Sequence, residues 1–201
     1  MRLSRFNDPY RLSPCREEDM TSKRTSETLE RQDPLIERYK IEPEAAKIVD
    51  RAITCGGTVE KPFHGTVFIG QEYIGAEVEF GIHKAVGGFS DKLNPGDMLC
   101  AALAACLDST IRIIASRFGV KLKSLEVEVR GEVDVRGTLR VDKTIPIGFQ
   151  KIICDVRIKP SAMTPGFVIK KLVAGAEKSC VNLQTVLGGI EVHTNLDVRR
   201  F

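Results

Sequence analysis

Asn94-Pro-Gly-Asp-Met-Leu-Cys-Ala-Ala-Leu-Ala-Ala-Cys106-Leu-Asp-Ser-Thr-Ile-Arg-Ile-Ile-Ala115 is the stretch on which the fold turns. Proline at a first helical position, followed by an acidic side chain in the first turn, is helix-start chemistry. The pattern predicts a helix from about Pro95 to Phe118 that closes at Gly119. Its first half is apolar all round and rich in alanine, so it belongs in an interior where a neighbour approaches closely. A chain of 201 residues has few places to hide such a helix, which predicts a second long helix packed against it. Cys106 stands at the middle of this segment, and Cys180 opens the last helical segment, Lys178-Ser-Cys-Val-Asn-Leu-Gln-Thr-Val-Leu187. One buried cysteine is ordinary packing; a thiol in an apolar pocket with a resolving partner is the raw material of a thiol peroxidase.

Outward from the helix, the rest of the chain falls into order. Residues 1 to about 40 are polar and lack periodic apolar positions, which predicts an extended or loosely attached segment. Pro43 to Ile53 shows apolar residues at helical spacing before Gly56-Gly57. We therefore expect an N-terminal extension over 1–60, partly disordered with one helix near 43–54, and a main domain over 61–201. The runs Gly65–Gly70 and Ile74–His83 predict a hairpin. Strands follow at Leu122–Val135 and Ile152–Ile158. A helix is expected over Thr164–Lys178, with Thr164 as cap and Pro165 at its first position, then a short helix from Cys180 and a last strand over Ile190–Leu196. The order ββ-α-ββ-αα-β is an α+β layout.

Composition excludes several function classes. Hydrophobic residues make up 42% and charged residues 28%, an ordinary soluble balance. The net charge of +3 is spread along the chain, and there is no Trp and little Tyr, so neither nucleic acid nor a membrane is expected as a partner. No uninterrupted apolar run reaches the roughly 18 residues of a bilayer span, and the polar N-terminus is not a secretory signal. The expected location is cytoplasmic. No glycine-rich phosphate loop, HExxH or GxSxG occurs, and the six cysteines show no CxxC or Cys/His clustering. No cofactor and no metal are expected. Cys15, Cys55, Cys100 and Cys154 are assigned structural roles, with Cys100 about 120° around the helix from Cys106 at 100° per residue.

Asn94-Pro95, Leu99, the Ala-Ala-Leu-Ala-Ala-Cys106 segment, Glu128-Val-Arg-Gly-Glu-Val-Asp-Val-Arg-Gly137 and Cys180…Leu187-Gly-Gly-Ile-Glu-Val192 together resemble the OsmC/Ohr family, over about residues 61 to 198. The resemblance implies an OsmC-like fold: two long central helices packed against antiparallel sheets in an intertwined homodimer, with active sites at the subunit interface. It also implies a role in the oxidative stress response as a peroxidase whose substrate is an organic or inorganic hydroperoxide. The family's peroxidatic and resolving cysteines map onto Cys106 and Cys180, with a dithiol as reductant. In peroxidatic members an arginine from the N-terminal strands and a glutamate ahead of the cysteine support the thiolate. Here Gly96 stands ten residues before Cys106 and the neighbouring Asp97 carries the acid, so Asp97 joins the catalytic candidates. The hairpin from Gly65 to His83 holds no arginine, leaving His64, His83 and Lys84 as sources of positive charge.

Cys180 at a helix N-terminus is expected to have the lower thiol pKa of the two, which suits a leaving thiol. The alternative from a different class is a non-peroxidatic OsmC-like protein that holds a small hydrophobic ligand in the dimer-interface pocket.

Overall fold

One long helix packs on a two-stranded antiparallel sheet, and a separate three-stranded antiparallel sheet joins it near the helix start. The computed structural model describes residues 26–55, 57–71 and 74–197. In chain order the elements are α1 (Glu27–Ile41), β1 (Ala52–Cys55), β2 (His64–Gln71), β3 (Ile74–Gly81), α2 (Pro95–Arg117), β4 (Leu122–Glu132), the single turn α3 (Val135–Thr138), β5 (Lys151–Pro160), α4 (Gly166–Ser179) and α5 (Val181–Gly188). Strands β1-β2-β3 form one sheet in that order, and β4 and β5 form the other.

Alternation decides which face of each sheet is buried. In the second sheet Val129 pairs with Cys154, Val127 with Val156 and Leu125 with Ile158, giving one apolar face. The alternate positions carry charge. Arg157 bridges Glu126 and Glu128, and Arg130 reaches Asp155 at 2.6 Å. These exposed pairs contribute little stability each. The apolar face receives α2 and α4. On α2, Leu103, Leu107, Ile111 and Ala115 recur every fourth residue and are buried, together with Leu125, Leu172, Ala176 and Cys180. Each buried leucine or isoleucine contributes roughly 1.5–3 kcal/mol of transfer free energy. The second long helix expected beside α2 is supplied within the chain by α4.

The first sheet is different. Val67 pairs with Val78, Ile69 with Ala76 and Gly65 with Phe80, so one of its faces is also apolar. Among the described side chains none from β1, β2 or β3 joins the buried core, and Ile69 is 44% exposed. The sheet is fastened to α2 at its end: the Gly81 amide donates to the Leu93 carbonyl at 2.9 Å and the Ser90 amide to the Ile82 carbonyl at 3.2 Å. Gly88 is required in this connection, because a Cβ there would lie 2.0 Å from the Ile82 carbonyl oxygen.

Four expectations are corrected. Residues 27–41, expected to be loose, form α1, which docks on the C-terminal end of α2 through Arg117–Asp33 at 2.9 Å and hydroxyl contacts of Ser26 and Thr28 with Ser116. No helix spans 43–54: a 3-10 turn over Pro43–Ala46 is followed by β1, which pairs with β2. The last strand, Ile190–Leu196, does not form. The cap of α4 is Pro165 rather than Thr164. Cys15 lies outside the described residues.

By length and composition α2 also qualifies as a membrane span, with 23 residues and mean hydropathy 1.7. Here it carries Asp97, Asp108 and Arg112 and buries its leucine edge in protein.

Candidate active site

Cys106 sits half-buried near the middle of α2, and its carbonyl accepts hydrogen bonds from Ser109 Oγ at 3.0 Å and Thr110 Oγ1 at 2.7 Å. Cys180 is the sole residue between α4 and α5. It is extended (φ −76°, ψ 112°), so the chain bends there and turns the side chain inward. Its backbone is fully used: its amide donates to the Ala176 carbonyl at 2.8 Å, and its carbonyl accepts from the Gln184 amide at 2.9 Å. The Cys180 side chain is 0% exposed. Cys106 packs against the buried cluster that contains Cys180, so the two thiols are neighbours. Both are free thiols.

Burial pushes the Cys180 thiol above its ordinary value, and contact with Cys106 adds to the rise. The amides of Leu183 and Asn182 at the start of α5 oppose it. They do not offset it, because burial is the largest effect and the shift remains upward. The low pKa expected from the helix N-terminus is therefore corrected. The dipole is present, but removal of the thiolate from water outweighs it.

Asp97 is occupied elsewhere. Its Oδ2 accepts from the Asn94 amide at 3.1 Å and from Asn94 Nδ2 at 2.6 Å, while Asn94 Oδ1 accepts from the Asp97 amide at 3.1 Å. This is a reciprocal capping box at the start of α2. Nine residues at 100° each place Asp97 about 180° around the helix from Cys106 and roughly 13 Å along it. The proposed cations are also engaged elsewhere. His64 pairs with Asp91 at 3.0 Å and stacks on Phe89, and His83 Nδ1 accepts from the Ala85 amide. Lys84 lies in the turn after β3, and the structure brings none of the three to Cys106.

Three features were not anticipated. Asn182 Nδ2 donates to the Ala102 carbonyl at 2.9 Å and so ties α5 to α2. Cys100 and Cys154 form a second neighbouring thiol pair between α2 and β5, each pushed up by burial, which suits inert packing. A cavity of about 250 Å³ opens between α2, the start of β5 and α5, lined by Leu103, Phe149, Lys151, Ile152, Cys154 and Leu183; neither Cys106 nor Cys180 lines it. Phe149 reaches it from the irregular segment before β5, where no periodicity signals it. The larger cleft, about 660 Å³, is open, and its Glu79 and Lys92 pair with each other at 2.6 Å. It lies away from both thiols, so we assign it no chemistry.

A family model of OsmC-like proteins matches residues 88–195. Solved structures share the fold. An OsmC-like protein of unknown function from Vibrio cholerae is 12% identical, with TM-score 0.57 over 69% of this chain and 94% of its own. An organic hydroperoxide resistance protein OsmC from Legionella pneumophila is 20% identical, with TM-score 0.53 over 71% and 92%. An organic hydroperoxide resistance protein from Elizabethkingia anophelis, with thiocyanate bound, is 20% identical, with TM-score 0.51 over 73% and 93%. No curated protein matches. With more than half of its length matched by the family model, and with mixed helices and antiparallel sheets in the order described, the chain belongs to the OsmC-like protein family.

Proposed function

We propose that the protein is a thiol peroxidase that reduces organic hydroperoxides, with Cys106 peroxidatic and Cys180 resolving. The observation that carries this reading is the neighbouring cysteine pair, Cys106 half-buried and packed on the cluster that holds the wholly buried Cys180. The Cys106 thiolate attacks the distal oxygen of the hydroperoxide, the O–O bond breaks, and the alcohol leaves after taking a proton. Cys106 is then a sulfenic acid. The Cys180 sulfur attacks the Cys106 sulfur, water departs, and a disulfide remains. A dithiol returns two electrons and two protons by thiol–disulfide exchange and becomes a disulfide itself.

The same reading includes a homodimer. The described residues leave the apolar face of the first sheet partly exposed, and Ala102, Ala105 and Ile113 on α2 exposed. Cys106 lies at the edge of that α2 stripe, so a second copy laid on it closes the site and can supply positive charge to Cys106. Asp97 serves in this reading as a helix cap. Free thiols at the five described cysteines suit the reducing cytoplasm.

The second reading is a carrier of a small hydrophobic ligand without peroxide chemistry. The cavity of about 250 Å³ between α2, β5 and α5, with Leu103, Phe149, Ile152 and Leu183 in its lining, favours it. One experiment separates the two. Purified protein with a dithiol reductant should consume cumene hydroperoxide catalytically, and Cys106→Ser should reduce the rate to background. Equal rates for wild type and variant would sink the peroxidase assignment. An inert wild type that co-purifies with an apolar ligand would establish the carrier.

A further inference from the structure

We infer that Asn182 is a positioning residue for the thiol pair, fastening the N-terminus of α5, and Cys180 with it, to the turn of α2 that carries Cys106. The redox role rests on the peroxidase reading above; the positioning itself does not.

The geometry is specific about which turn is gripped. Asn182 Nδ2 donates to the Ala102 carbonyl at 2.9 Å. In an α-helix that carbonyl is the acceptor of the amide four residues on, which here is the amide of Cys106. One oxygen therefore receives both the Cys106 backbone and the Asn182 side chain. Among the described residues this is the only hydrogen bond from α5 to α2.

α5 needs such a fastening. It has eight residues and none is buried, far short of the length at which a helix holds itself together in water. Its apolar side chains are largely outside the core: Val181 and Leu187 are each 70% exposed, and Leu183 packs only partly against the cluster. Because Cys180 alone joins α4 to α5, any drift of α5 away from α2 swings the Cys180 side chain with it. Asparagine suits the task because its amide supplies a donor on a short stem with little rotamer freedom.

A residue with this role governs how readily the two sulfurs bond and leaves the first oxidation of Cys106 alone. The test needs no hydroperoxide. The full chain is equilibrated with glutathione buffers of defined ratio, well below its melting temperature. The Cys106–Cys180 disulfide is then quantified by mass spectrometry of the linked peptides. In this exchange one oxidised glutathione is converted to two reduced molecules as the protein disulfide forms. Asn182→Ala should lower the effective concentration of the pair roughly three- to tenfold, the range of one net hydrogen bond. Asn182→Asp, which keeps the size but loses the donor, should lose at least as much. Asn182→Gln, which retains a donor, should recover part of the loss. The alkylation rate of Cys106 and the far-UV dichroism should match wild type in all three. Ala and Asp variants at the wild-type equilibrium would overturn the proposal, as would a wild type that forms no Cys106–Cys180 disulfide at any ratio. A wild type inert toward hydroperoxides whose Ala and Asp variants still show the shift would remove the peroxidase reading and leave the positioning role standing.

Discussion

Cys180 is wholly buried against Cys106, and Cys106 alone of the two is half-open. This asymmetry orders the chemistry, because an incoming peroxide meets Cys106 first. In Cys180→Ser, a single equivalent of hydroperoxide should leave a sulfenic acid on Cys106 that dimedone labels in high yield. Wild type should instead give the disulfide and little label. Catalytic turnover of the variant with a dithiol should fall well below wild type, while its first equivalent reacts at an unchanged rate. Label on Cys180 in wild type would reverse the assigned roles, and absence of label on Cys106 in Cys180→Ser would remove them.

Three thiols, Cys100, Cys154 and Cys180, are each raised above the ordinary value, chiefly by burial. A raised thiol pKa means that the folded chain holds its proton more tightly than the unfolded chain does. The resulting stability is fully present below the unfolded thiol pKa, about 8.5, and is lost as pH rises above it. The melting temperature under reducing conditions should therefore be flat from pH 6 to about 8 and fall toward pH 10. Cys180→Ala should flatten part of the alkaline decline while lowering the melting temperature at neutral pH. Parallel curves for wild type and variant would show that the thiol does not contribute to it.

The capping box gives Asp97 a role that can be separated from catalysis. Asp97→Ala removes one acceptor from the start of α2, and Asn94→Ala removes the other; each should cost about 0.5–2 kcal/mol of stability. Neither change touches Cys106, half a turn of the helix wheel away. The peroxidatic rate of Asp97→Ala, read from a single oxidation of Cys106 below the melting range, should stay within about twofold of wild type. A large loss of that rate without loss of stability would return Asp97 to the reacting groups.

The parts legible in the sequence were those where one residue pattern has one structural solution. Pro95 and Gly119 bracket α2, and strict alternation through Val67 and Val78 specifies the hairpin. Ala45, Ile48, Val49, Ala52 and Ile53 are spaced for a helix, yet pairing of Ala52 with Ile69 and Thr54 with Val67 draws this segment into the sheet, a tertiary override of local preference. Ile190–Leu196 has the composition of a strand but pairs with none of the described strands. α1 lacks an apolar stripe, and what docks it is Arg117–Asp33 at 2.9 Å across the chain, which no local window contains. In the site, spacing along α2 located Cys106. The value of the Cys180 thiol required its burial, and Asn182 required knowledge of which carbonyl α5 meets.

The exposed stripe of α2 makes the last prediction. Ala102, Ala105, Ser109 and Ile113 fall within about 80° of the helix surface, and Ile113 is 38% exposed. Small residues in this arrangement let a second helix approach closely, and Cys106 borders the stripe. A solvent-facing reading predicts charge at these positions, and the sequence has none there. Wild type should run at twice the chain mass in light scattering. Ala105→Glu places an unpaired carboxylate in the proposed interface, where burial of a lone charge is prohibitive, so this variant should run as a monomer with α2 intact by dichroism. Because the half-open side of Cys106 faces that interface, the monomer should also lose hydroperoxide turnover. Ala105→Ser, which adds one small polar atom, should remain dimeric and active. A fully dimeric Ala105→Glu would place the contact elsewhere on the molecule, with the apolar face of the first sheet as the next surface to substitute, and a monomeric wild type would remove the dimer itself.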